Sequence, residues 1–476
     1  MTGRTRILAA AALFGAAALA TPAGALAHGL VGRQDLPIPR WLFAWGAAVV
    51  LVVSFVGLGV LWAKPRLEEA AEHRVLGVPK ALEVLAGALG VAAFAFVVYA
   101  GFAGTQTPTA NLAPTAVYVL FWVGVPVLSL LFGDVFLAFN PWRAIGRAAG
   151  WVAGRVGGGR DELSQPLEYP ERLGRWPAAI GILLFAWVEL VFSERDDPST
   201  LAVLALVYAA FQLVGMALYG VDVWTRRADA FQQFFSLCAR ISPLRWRDRA
   251  LWRRLPLAGV PSLSAVPGTV ALLCVLIGTT TFDGFSQGSL WTDVAPDLQS
   301  FFLDDLGFDQ ARAIEAAFTI GLVGCVLVVA LLYRLGAAGM RTVAHDRETK
   351  DLARVFAHSL APIALAYAIA HYFSLLAYQG QAIGYLASDP LGDGSDWFGT
   401  AGASIDYGVV DANGIWYVQV GALVLGHVAG LVLAHDRALV LFGSGQRASR
   451  SQMWMLAVMV GFTSLGLWLL SASAQT

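Results

Sequence analysis

Positive charge falls on every second loop of this chain, and that pattern constrains its fold more than any other feature. A helix that crosses a bilayer needs about 20 apolar residues. Ten segments of that kind follow the N-terminal region, at roughly 40–63, 81–104, 115–138, 177–193, 199–220, 266–285, 314–336, 353–377, 415–434 and 452–472. If residue 28 lies outside, the inner loops are 64–80, 139–176, 221–265, 337–352 and 435–451. Counted with their span edges, these hold 26 of the 32 Lys+Arg; the outer segments hold four, Arg33, Arg40, Arg195 and Arg312. Basic residues concentrate on the cytoplasmic side of membrane proteins. The charge pattern therefore predicts an all-α integral membrane protein of the bacterial plasma membrane, a bundle of about ten transmembrane helices.

Composition agrees. The chain of 476 residues is 57% hydrophobic and 14% charged, with a mean hydropathy of +0.64. A soluble protein of this length has no means of hiding so much apolar surface. Net charge is -1, so nothing argues for a nucleic-acid partner; the expected partners are the lipid bilayer and a small solute or ion. Cys238, Cys274 and Cys325 form no CxxC pair, which excludes a zinc knuckle. Gly157-Gly158-Gly159 lacks the GK[ST] of a phosphate loop, so an ATP-driven role would need a partner subunit.

Residues 1–27 have the layout of a secretory signal peptide. Arg4 and Arg6 precede an apolar run, and Ala25-Leu26-Ala27 forms a small-residue cleavage site. An uncleaved anchor is the alternative; either way residue 28 is outside, and so is the C-terminus. Residues 28–476 then form a single polytopic transmembrane domain. Acidic outer segments near 286–313 and 378–414 cap it, and 139–176 and 221–265 are the long basic inner loops. Within the last of these, Phe231, Phe234, Phe235 and Cys238 share one helical face. That pattern predicts an amphipathic helix on the inner leaflet, followed by arginines meeting anionic lipid. Ala344-His345-Asp346-Arg347 and Ala434-His435-Asp436-Arg437 echo each other, either through an ancestral duplication or because helix ends favour the same residues.

Polar groups inside a bilayer are costly, which makes them functional candidates. The eighth span holds His358 and His371, and the ninth holds His427, with His435 at its inner end. His358 and His371 are 13 residues apart, about 220° around a helix, whereas His427 and His435 are 8 apart, about 80°. Two stacked haems do not fit those faces. A single haem or metal ion between His371 or His358 and His427 stays open, as does a relay of staggered imidazoles that titrate near neutral pH. Histidines bonded to the backbone within the bundle are the third reading. Glu189 sits near the outer end of the fourth span and faces either the same vestibule as His371 or the outer interface. The sixth span ends Thr279-Thr280-Thr281-Phe282-Asp283-Gly284-Phe285-Ser286-Gln287-Gly288, where Thr280 and Asp283 could line a cation or solute site. Gly284 to Gly288 also matches G-x-S-x-G, which carries catalytic meaning on a strand-turn-helix elbow. In that case Ser286, Asp283 and His371 are the catalytic candidates. A mature N-terminal His28 would offer copper an amine and an imidazole, with His371 as the second ligand.

Several strings give the chain a resemblance over nearly its whole length. They are Ala27-His28-Gly29-Leu30-Val31-Gly32-Arg33-Gln34-Asp35-Leu36-Pro37-Ile38-Pro39, the run from Thr279 to Gly284, His358-Ser359-Leu360-Ala361-Pro362 with Ala370-His371-Tyr372, and His427 through Arg437. They resemble a family of many-pass membrane proteins from high-GC bacteria that often carry the name fenitrothion hydrolase. The resemblance implies a membrane-associated component that cleaves a phosphotriester. Three functions are thus expected to compete. The leading one moves a small solute or ion along His358, His371 and His427, with Glu189, Asp283 and Thr280 at the mouth. The second is an outward-facing hydrolase. The third is a haem- or copper-binding redox component using His371, His427 or His28. The sequence itself requires no cofactor.

Overall fold

A computed structural model describes residues 40–473, apart from 69, 157–165, 346 and 444. The signal segment and His28 lie outside the described residues. The chain is helical throughout its apolar segments, because a backbone without water must satisfy its hydrogen bonds internally. The principal helices are α1 (Arg40–Leu61), α2 (Lys80–Ala103), α3 (Leu112–Phe132), α4 (Pro141–Val156), α5 (Trp176–Leu190), α6 (Pro198–Tyr219), α7 (Val221–Arg227), α8 (Ala230–Ile241), α9 (Thr269–Ser286), α10 (Ser289–Ser300), α11 (Gln310–Met340), α12 (Ala361–Gln379), α13 (Ala412–Phe442) and α14 (Gly445–Ser473). A two-turn α-helix and a 3-10 segment, Thr349–Phe356 and Ala357–Leu360, lead into α12. Among the described residues seven helical segments are long and apolar enough to cross a membrane, and two shorter apolar ones, Ala48–Leu61 and Trp176–Leu190, accompany them. The protein is therefore a polytopic α-helical membrane protein.

The acidic loops have a structural reason. Asp197, Asp309 and Asp411 each accept a backbone N–H in the first turn of α6, α11 and α13. A carboxylate at a helix N-terminus satisfies an orphan donor and complements the dipole. Part of the acidity of these loops is thus helix capping. At the same end the segment 378–414 is tied to the α2–α3 loop, with Thr105 N–H donating to Leu391 O and Leu112 N–H to Pro390 O.

The packing of α12 on α13 sets the position of the histidines. Gly426 and Gly430 lie four residues apart on the α13 face that meets α12. A methyl at Gly426 would overlap the Ala366 side chain and lie 2.8 Å from Pro362 O; one at Gly430 would lie 2.9 Å from Ser359 O. Small residues at this spacing let membrane helices approach closely.

Residues 221–265 depart from expectation. No amphipathic helix lies on a leaflet there. Instead α8 is buried on all sides, with Phe231, Phe234, Phe235, Leu237 and Cys238 in the core and Gln232 and Gln233 buried as well. Its polar face pairs inside the protein. Gln232 Nε2 donates to Asp134 at 2.9 Å, Gln233 Nε2 to Thr225 O, and Arg175 Nε donates to Gln233 Oε1. Asp229 caps its first turn. The Arg254 guanidinium donates to the carbonyls of Ala239, Arg240 and Ser242 at its far end. Helicity with a polar stripe does not distinguish a lipid-facing helix from one whose polar stripe meets other polar groups.

The basic end also carries a three-stranded antiparallel sheet that the apolar pattern did not announce. Its strands β1 (His73–Gly77), β2 (Leu244–Arg247) and β3 (Ala250–Arg253) are ordered β1-β3-β2. Glu72, just before β1, is its ionic anchor, 2.9 Å from Arg245, 3.4 Å from Arg247 and 3.7 Å from Arg254. Burial pushes the Glu72 carboxyl up, but Arg245, Arg254 and Arg247 together hold it below its ordinary range. Burial also draws the Arg254 guanidinium down to about 10, which leaves it charged at neutral pH.

Candidate functional site

Four helices meet around Asp283 toward the acidic end of the bundle. Asp283 stands in the last turn of α9, where the chain still holds helical bonds but is close to the acidic segment that follows. His371 and Tyr372 come from α12, Glu189 from the last turn of α5, and Trp122 from α3. Asp283 Oδ2 and His371 Nε2 are 2.6 Å apart, with side chains only 15% and 19% exposed. That length is short even for a charge-assisted N–H···O bond. Gln287 and the Tyr372 hydroxyl also face the Asp283 carboxylate. Tyr372, itself buried, stands edge-on to His371, with centroids 4.9 Å apart.

The second carboxylate is less well served. Glu189 interacts with Asp283 and faces the Tyr372 hydroxyl, yet its buried Oε2 closes no hydrogen bond. Trp122 Nε1 is likewise buried, directed toward Tyr372 and unpaired. Residues Thr115–Gly124 are wound as a π-helix, flanked by Pro114 and Pro126. The wider coil presents Trp122 to Tyr372 and Tyr118 to the α5 end, where the Tyr118 hydroxyl donates to Arg195 O at 2.8 Å. Such insertions recur at functional sites.

The other expected residues take different positions. His427 is buried beside Tyr367, and its Nδ1 is 2.7 Å from Leu423 O of its own helix. His358 Nδ1 is 3.1 Å from Val355 O, and its neighbours are Asp436 and Arg437. Thus His371, His427 and His358 descend through the bundle from the acidic to the basic end, over roughly 20 Å by helical rise from His371 on α12 to His358 in the 3-10 segment before it. The Nε2 atoms of His427 and His358 are buried without a hydrogen bond. Thr280 is buried but donates to Leu276 O within α9. Ser286 donates to Asp283 O at 2.9 Å, on a helix end and not on a strand-turn-helix elbow. Among the described residues no group of three or more His, Cys, Asp or Glu is placed to hold a metal ion.

His435, Asp436 and Arg437 do structural work. Asp436 accepts from Trp62 Nε1 and from the backbone N–H groups of Arg66 and Leu67, and Arg437 pairs with Glu68 at 2.7 Å. These contacts pin the α1–α2 loop. Tyr372, Trp122 and Gln287 were not singled out by sequence. Tyr372 directly follows His371, but nothing local marks Trp122, which reaches the site through tertiary packing alone. Compared with protein-family models, with curated proteins and with solved structures, the chain matches none.

Proposed function

We propose that this protein moves a small ion or solute across the plasma membrane, with its basic end inside, and that Asp283, His371 and Glu189 form the site where that species binds. The ten apolar segments of the sequence would be its crossings. The observation that carries the reading is the 2.6 Å Asp283–His371 pair with a second, incompletely bonded carboxylate beside it. Two carboxylates close enough to interact favour a proton or another small cation over an anion. Intramembrane Asp, Glu and His sets of this kind mark ion and proton pathways. The buried imidazoles of His427 and His358 continue the polar positions toward the basic end.

The test is flux in vesicles containing the purified protein. Protons are followed with an internal pH dye under a potassium diffusion potential, and Na+ and K+ with radioactive tracers. At least one of these cations is expected to cross faster than in empty vesicles. Asp283→Asn, His371→Gln and Glu189→Gln should each lower that flux roughly tenfold or more, the equivalent of one lost charge-assisted hydrogen bond. Wild-type vesicles no leakier than empty ones would refute the ion reading.

A further inference from the structure

The pairing register of the sheet makes it amphipathic. Opposed residues share a face, so His73, Leu76, Leu251, Arg253, Leu244 and Trp246 point one way. Arg74, Gly77, Ala250, Trp252, Arg245 and Arg247 point the other. The first face is mainly apolar and half open, with Leu76 47% and Trp246 39% exposed. It is continuous with the apolar surface of the bundle. Trp246 Nε1 donates to Phe132 O at the end of α3, where Leu128, Leu131 and Phe132 are exposed. Tryptophan is favoured at this level of a membrane protein, with its ring among lipid chains and its N–H bonded.

The charges on the sheet are unbalanced. Arg245, Arg247 and Arg254 share Glu72, and Arg247 also pairs with Asp248. Among the described residues Arg74, Arg249 and Arg253 have no ion-pair partner, and all three are exposed. Arg249 is held at the hairpin tip by a tight turn in which Asp248 and Arg249 both adopt left-handed backbone, φ 51° and 53°. That turn normally takes Asn or Gly. Here Arg249 O is fixed by Val78 N–H at 2.7 Å, so the tip is locked to the strand from the α1–α2 loop.

We propose that this sheet is an interfacial binding site for anionic phospholipid. Its apolar face lies against the acyl chains beside the end of α3, and the exposed guanidinium groups of Arg253 on that face, Arg249 at the hairpin tip and Arg74 on the opposite face draw anionic headgroups around it. The occupant follows from continuity with the apolar surface and from three exposed guanidinium groups on the same small sheet that have no ion-pair partner. Arginine forms paired hydrogen bonds to phosphate oxygens, and juxtamembrane basic residues draw anionic lipid.

The experiment titrates the purified full-length protein in detergent with phosphatidylglycerol and, separately, phosphatidylcholine, counting bound lipids by native mass spectrometry. Phosphatidylglycerol should bind more tightly. The triple variant Arg74→Gln, Arg249→Gln, Arg253→Gln should weaken it roughly tenfold or more and leave phosphatidylcholine unchanged. Arg312→Gln, at the acidic end, removes one charge elsewhere and should change neither. These side chains are exposed, so the fold should survive; circular dichroism and the melting temperature verify that. Equal binding of both lipids by the wild-type protein would overturn the proposal and point to an acidic protein segment as the occupant. A phosphatidylglycerol preference that persists in the triple variant would overturn it too.

Discussion

Asp229 and Asp283 are both carboxylates placed deep among helices, and they are satisfied in opposite ways. Asp229 accepts from four neutral donors, Asn140 Nδ2, Trp142 Nε1, the Tyr208 hydroxyl and Gln232 N–H, at 2.6–3.1 Å. Its partners come from α4 or just before it, from α6 and from α8. Asp283 also has neutral donors facing it, Gln287 and the Tyr372 hydroxyl, but its short bond is to an ionisable imidazole and it has a second carboxylate for a neighbour. A group bonded to fixed neutral donors has nothing to exchange and serves as a joint. One whose partner can itself gain or lose a proton, with unsatisfied atoms around it, is suited to binding something. Burial alone does not separate the two; the chemistry of the partners does.

That contrast yields graded tests. The largest structural effect belongs to the joint. Asp229→Ala strands three buried side-chain donors and should cost roughly 3 kcal/mol or more, read as a large drop in the melting temperature in detergent. Asp283→Asn keeps an acceptor for His371 and should stay within about 1 kcal/mol of wild type while losing flux. If the two variants melted alike, the distinction would fail. Next is Gly426→Ala, whose methyl would force α12 and α13 apart for about 1–3 kcal/mol. Gly421→Ala in the same helix meets no neighbouring atom and should melt like wild type.

A smaller effect concerns pH. Glu72 is held below its ordinary range, so the folded protein binds a proton there less readily than the unfolded chain. Its stabilisation is complete above the ordinary carboxylate range and is lost as pH falls below that range through the depressed folded value. Melting curves from pH 7 to about pH 3 should therefore show a steeper acid loss for wild type than for Glu72→Gln. The smallest effect is Ser286→Ala, which removes only a bond to its own helix turn and should leave flux unchanged and stability within about 0.5 kcal/mol. Loss of a phosphotriesterase activity in that variant would instead favour the hydrolase implied by the family resemblance.

The sequence disclosed what depends on the membrane as solvent. Apolar length and alternating charge located the helical segments, and the scarcity of ionisable groups within them drew attention to His371, Asp283 and Glu189, which the fold brings together. It did not disclose what depends on distant partners. The buried setting of α8 rests on Asp134, Thr225 and Arg175, none of which its own periodicity encodes. The sheet joins residues 73–77 to 244–253, and pairing across that separation leaves little local trace in short, arginine-rich strands. Trp122 enters the site through a π-helical stretch whose sequence is as apolar as an ordinary span.

The most direct measurement is cation flux into vesicles by wild type, Asp283→Asn and Asp229→Asn side by side, each normalised to folded protein. Flux that collapses in Asp283→Asn but persists in the folded fraction of Asp229→Asn is the predicted result. Equal flux per folded molecule in wild type and Asp283→Asn would contradict the assignment of the site.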